Sequence, residues 1–112
     1  MKRVNPLKLN KLQLRTLVLT QIIARTQPDD AWDADGSVTI LRLPHAHGDH
    51  LHVGEFVVNM ADASGFNNRA VWTALARKGL VRDKDVPPIV LTRDGLEYDT
   101  GLDHHFLTKS DH

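Results

Sequence analysis

The sequence predicts an α+β domain, mainly α-helical, with a small antiparallel β-sheet, and three observations predict it. Apolar residues recur at steps of three and four over residues 11–26 and again over residues 66–79, which is the helical period. Short β-branched runs, SVTILRL and PPIVLT, sit between clusters of Gly, Pro and Asp, as strands do. The 112 residues, 41% of them apolar, suffice for one modest core but not for two. The expected organisation is an N-terminal arm over residues 1–9, one domain over residues 10–99 and a flexible tail over residues 100–112.

Taken in order, Asn10 followed three residues later by Gln13 has the form of a capping box, and Leu14, Leu17, Val18 and Ile22 then continue a helix to about residue 26. Pro28 and the acidic DDAWDADG end it, with DADGS read as a turn because it lacks the later Gly and Glu of a calcium loop. Gly36 opens the strand in SVTILRL. From about Val53, VGEFVVNMADASGFNNRAVWTALARKGLV is expected to form two short helices broken at ASG. In the second of these Val71, Trp72 and Leu75 share a face, and Gly79 supplies the stop. LVRDKDVPPIVLT then gives two extended pieces around a turn, with Pro88 at a strand start, and Thr92 caps a last helical turn.

Composition narrows function by exclusion. Without cysteine there is no thiolate nucleophile and no sulfur-ligated metal, so any metal would need His, Asp or Glu. No apolar run reaches the eighteen residues of a membrane span, and MKRVNPLKLNK lacks the form of a signal peptide, so a cytoplasmic protein without membrane contact is expected. The net charge of zero is a sum of unlike blocks. Residues 1–28 carry six basic and no acidic side chains, residues 29–62 seven acidic against Arg42, and residues 63–95 six basic against three acidic. Such a balance argues against a general polyanion binder and allows one localised basic face.

The segment VGEFVVNMADASGFNNRAVWTALARKGLVRD followed by IVLTRDGLEY resembles the winged helix-turn-helix transcriptional regulators, MarR-like proteins among them. The likeness spans about residues 10–99 and rests on the VGE opening, the ending LARKGLV and the phrase LTRDG. It implies a three-helix winged helix-turn-helix whose third helix, about residues 66–79, lies in the DNA major groove while the wing reaches the backbone. On that footing Asn67, Arg69, Thr73 and Arg77 face the bases and Arg77, Lys78, Arg82 and Lys84 neutralise phosphates. Two positions depart from the family. Asn68 stands where such helices bury a valine or leucine, and KDVPP leaves almost no wing to insert. A homodimer, if formed, is expected to use Leu7, Leu9, Leu12 and Leu19, which exceed the needs of one core-facing stripe.

A second set of residues points elsewhere. PHAHGDHLHVGE places four of the seven histidines within eight positions. With Gly48-Asp49 as a two-residue hairpin turn, His47 faces His50, His45 faces His52 and Arg42 falls opposite Glu55, which gathers the imidazoles on one face. His45, His47, His50 and His52 are therefore candidate ligands for a divalent transition metal such as zinc or nickel, or a pH-responsive group acting through protein contacts without DNA. A helix starting at Val53 competes for the same residues and would turn the cluster into a loop. Catalysis has the least support: Ser37, Ser64 and Ser110 have no partner pattern, DADGS and DASGF each hold one glycine, and the chain is not expected to be an enzyme.

Overall fold

The computed structural model describes residues 5–102, and of His47 the backbone alone. Its first element, α1 (Lys11–Ala24), starts where the capping box requires: Gln13 N–H donates to the Asn10 side chain at 2.8 Å, and Asn10 N–H donates back to Gln13 Oε1 at 3.0 Å. Most of this helix is enclosed. Thr16 through Gln21 are all buried, as are Ile23 and Ala24, so α1 has an apolar or internally satisfied surface on nearly every side. Its buried hydroxyls bond back along the helix, Thr16 to the Leu12 carbonyl at 2.8 Å and Thr20 to the Thr16 carbonyl at 2.7 Å.

The rest of the chain wraps α1 as an α+β fold with two small antiparallel sheets. After a 3-10 turn at Asp29–Ala31, β1 (Val38–Ile40) pairs with β5 (Ile89–Leu91) in the register Val38 to Leu91 and Ile40 to Ile89. Trp32 adds a bridge to Val38, and Val81 bridges Leu91 from the other side. The second sheet is a meander of β2 (Ala46–His47), β3 (His50–Val53) and β4 (Phe56–Asn59). A long 3-10 segment, Met60–Asn67, leads from it into α2 (Arg69–Arg77), and the short α3 (Arg93–Glu97) follows β5.

One expectation is corrected outright: the helix foreseen from Val53 is a strand pair. Gly54 takes a φ of +61°, which interrupts any helix, and the two-residue turn Gly54-Glu55 folds β4 back on β3 with Val53 opposite Phe56. Leu51, Val53 and Val58 are buried while His52 and Asn59 are exposed, a period of two that the helical reading overlooked. The helical break lies at Asn68 rather than in ASG, and the preceding turn is 3-10. Strands are also shorter than expected. SVTILRL contributes only residues 38–40, and the piece before the KDVPP turn reduces to the Val81 bridge and the bond from Arg82 N–H to the Val90 carbonyl at 2.9 Å.

The surplus leucines of the expected dimer contact belong to this chain's own core. Leu9 and Leu19 are 4% and 0% exposed, and Leu7 and Leu12 pack against the same cluster. The segment before α1 is held down as well. Asn5 bonds the Leu9 carbonyl at 2.9 Å and meets the Tyr98 hydroxyl, which also accepts from Leu7 N–H at 3.2 Å. Of the expected tail, residues 103–112 lie outside the described residues; Thr100 is buried. Among the described residues no helix is long and apolar enough to cross a membrane.

Two glycines let elements approach more closely than any side chain would permit. A Cβ on Gly65 would stand 1.8 Å from Thr16 Oγ1 of α1, and one on Gly95 would stand 2.0 Å from the Leu80 carbonyl oxygen. The second obstacle is backbone, which cannot rotate away. Gly95→Ala is therefore expected to destabilise the fold by at least about 1–3 kcal/mol in urea unfolding, the usual range for overpacking. An unchanged midpoint would contradict the close approach of α3 to Leu80.

Candidate nucleic-acid interface

α2 is built from both ends by local chemistry. Asn68 caps it, its side-chain oxygen accepting from Ala70 N–H at 3.0 Å and Val71 N–H at 3.4 Å. Position 68, where the resemblance implied a buried valine or leucine, is thus held by a helix cap. Gly79 closes the helix with φ +77°, the Leu80 N–H reaching back to the Leu75 carbonyl at 3.0 Å and the Gly79 N–H to Ala76 at 3.0 Å. Between these ends Val71, Trp72 and Leu75 are buried, as the sequence predicts. The Trp72 indole donates to the Phe66 carbonyl at 3.0 Å, and its ring stacks on Phe66 with centroids 6.5 Å apart.

The opposite face carries Arg69, Thr73 and Arg77 at steps of four, which puts them in one row. Both arginines are exposed and Thr73 is half-buried. Asn67 is exposed at the end of the 3-10 segment, just ahead of the row. Beside it runs the loop after Val81. Asp85 of that loop lies 3.3 Å from the Arg69 guanidinium and 3.8 Å from Lys84 Nζ. Asn67, Arg69, Lys84 and Asp85 thus rim one open cleft of about 310 Å³, floored by Phe66 and Trp72 and walled by Leu43, Val86 and Pro87.

Of the seven candidate DNA contacts, three meet at this cleft and Thr73 and Arg77 extend the row along α2. The other two have different neighbours. Lys78 Nζ donates to the Leu7 carbonyl, and Arg82 reaches back to the DADGS turn, 3.3 Å from both Asp35 Oδ2 and Ser37 Oγ. Sequence reading missed Asp85, because its significance comes from a partner sixteen residues away on another element. Its ion pair with Arg69 is well exposed, worth no more than about 0–1 kcal/mol, so a competing anion displaces it at little cost.

At the DADGS turn Asp35 Oδ1 accepts from the Ser37 hydroxyl at 2.6 Å and from Ser37 N–H at 3.0 Å. These two bonds hold the Asp35 carboxyl below its ordinary 3.8; desolvation opposes them, and Arg82 adds an attraction smaller than either bond. The segment is a turn, as expected.

The histidine hairpin takes the register that the Gly48-Asp49 turn predicts. His47 pairs with His50 and Ala46 with Leu51, and Gly48 takes φ +71°. The ladder stops there: His45 lies before β2, and Arg42 and Glu55 lie outside any ladder, so the expected His45–His52 and Arg42–Glu55 pairings are not part of it. His50 and His52 lie on one side of β3, with ring centroids 5.4 Å apart and planes at 81°. Among the described residues no three His, Asp or Glu side chains converge as a ready-made metal cage. His104, His105 and Ser110 lie outside the described residues.

Two outcomes follow. Asn68→Ala is expected to lower stability by about 1 kcal/mol through loss of the α2 cap, and Asn68→Gly by only a few tenths, as read by urea unfolding; equal losses would argue against capping. A carboxyl whose pKa is lower in the folded than in the unfolded chain adds stability above the unfolded value and loses it as pH falls through the folded one. Asp35→Asn is therefore expected to be less stable than the parent at neutral pH, and the gap to close as the pH drops below 3.8. A gap independent of pH would show that the carboxylate charge is not what holds the turn.

Compared with known proteins, the chain matches no family model, no curated protein and no solved structure.

Proposed function

We propose that this protein is a DNA-binding transcriptional regulator that docks α2 on duplex DNA. The observation that carries the reading is the row of Arg69, Thr73 and Arg77 opposite the buried face of α2, beginning beside the loop that bears Lys84. An α-helix with its side chains is about 10–12 Å across and the major groove about 12 Å wide, so the groove admits α2, whose nine residues give it about 13 Å of length. Arg69, at the amino-terminal end, has the fork that pairs with guanine O6 and N7, and Asn67 the amide that pairs with adenine. Thr73 offers a methyl and a hydroxyl to base edges.

Lys84 serves the backbone. In this reading a phosphate takes the place that Asp85 holds between Arg69 and Lys84, exchanging one exposed ion pair for another and releasing counterions. Arg77 and Lys78, at the far end of α2, and Arg82 are further phosphate contacts, Lys78 and Arg82 at the cost of their present partners. The order of elements supports the same reading. α2 is followed by Val81, which bridges β5, which in turn pairs with β1, the arrangement that a helix and its short wing require. The wing here is the loop of residues 82–88, too short to enter the minor groove, so base discrimination falls to α2.

Selection from a randomised duplex pool would give the preferred sequence, and fluorescence anisotropy on that duplex tests the roles. Arg69→Ala is expected to weaken specific binding by about 1–3 kcal/mol and to relax preference at one base pair. Lys84→Ala is expected to weaken binding to all sequences alike and to reduce the salt slope by about one. Unchanged selectivity in the first variant would remove Arg69 from the reading set, and failure of the pool to enrich would overturn the function.

A further inference from the structure

We propose that the hairpin of β2 and β3 binds one borderline divalent transition-metal ion, zinc or nickel, through the imidazoles of His50 and His52. Residues two apart on a strand point to the same side, and here Leu51 and Val53 take the core side and leave the two histidines on the other. Imidazole nitrogen is the donor such ions favour where no thiolate is present, and this chain has no cysteine.

The spacing fits the ion. A metal–nitrogen bond of about 2.0–2.1 Å, extended by about 1.1 Å to each ring centre, puts two imidazoles on a tetrahedral ion with centroids about 5.2 Å apart. The observed separation is 5.4 Å, close to that value, with the planes at 81°. The backbone register sets His47 directly across from His50, and His45 follows two residues back along the chain. The remaining positions of the ion belong to water.

The site is connected to the element that faces DNA. Asp49 carbonyl accepts from Met60 N–H at 2.9 Å, which fastens the hairpin turn to the start of the 3-10 segment that ends at Asn67. An ion bridging two residues of β3 therefore stiffens the strand pair that feeds α2, and it stabilises the folded chain by an amount that grows with the logarithm of its concentration once that exceeds the dissociation constant.

The test is calorimetric titration of the full chain with zinc chloride and with nickel chloride in a non-chelating buffer, with the imidazole ring protons followed by NMR in parallel samples with zinc. One ion per chain is expected, with shifts at His50 and His52, no response to calcium, and weaker binding at pH 5.5 than at 7.5 because protons compete for the imidazoles. His50→Gln and His52→Gln are each expected to weaken zinc by roughly tenfold or more, whereas the paired variant His104→Gln/His105→Gln leaves it unchanged. Native imidazole signals that ignore millimolar zinc would overturn the proposal without reference to any variant. So would full binding in the His50→Gln/His52→Gln protein, or loss of binding in the tail variant alone. Because none of these readouts involves DNA, the site stands or falls apart from the regulatory function.

Discussion

Burial of α1 on nearly all sides is the constraint from which the architecture follows. A helix whose buried run, Thr16 to Gln21, spans more than a full turn has no solvent face along that stretch, so other elements must cover every side of it. The 3-10 segment does so by placing Gly65 against Thr16, and the β3–β4 turn by bringing Gly54 up to Ile22. The carboxyl-terminal part does so through Gln21, whose side-chain amide donates to the carbonyls of Gly95 at 2.8 Å and Tyr98 at 2.9 Å. Among the described residues no buried side-chain nitrogen or oxygen is left without a partner. The polar residues of α1 therefore act as fasteners to neighbouring elements and to its own backbone.

This enclosure decides which surfaces remain for function. With α1 committed to the interior and its leucines consumed there, the exposed row of α2 and the outward side of β3 are the faces where charged and imidazole side chains collect. Both are anchored from behind. Trp72 holds α2 against the Phe66 backbone, and Leu51 and Val53 hold β3 against the core. The two surfaces are joined through chain order, since β4, the 3-10 segment and the Asn68 cap follow one another without a loop. A change in the stiffness of the hairpin has a short path to the amino-terminal end of α2.

Local signals were legible in the sequence wherever one side chain satisfies one backbone group. The Asn10–Gln13 box, the Thr92 cap, the Gly79 stop and the Gly48-Asp49 turn each state their geometry within four residues, and each was found. VGEFVV was misread because a short apolar run satisfies either period, and the likeness of VGE to a helix start outweighed the glycine that the turn needs. The 3-10 geometry of residues 60–67 was hidden for a different reason: it answers to the packing of Gly65 on α1, a tertiary fact. At the site, the exposed row and buried stripe of α2 were legible from spacing. The cleft was not, since Asp85, Leu43 and Pro87 reach it from sequence-distant loops, and the separate attachments of Lys78 and Arg82 depend on the same long-range folding.

The central claim is that the outward face of α2 and the adjoining loop meet DNA. A proton–nitrogen NMR titration of the labelled protein with mixed-sequence duplex, at low salt and again at about 0.2 M, tests it most directly. The account predicts shifts at Asn67, Arg69, Thr73, Arg77 and Lys84 that shrink with added salt. Silence at these residues, or shifts confined to the histidine hairpin, would contradict it.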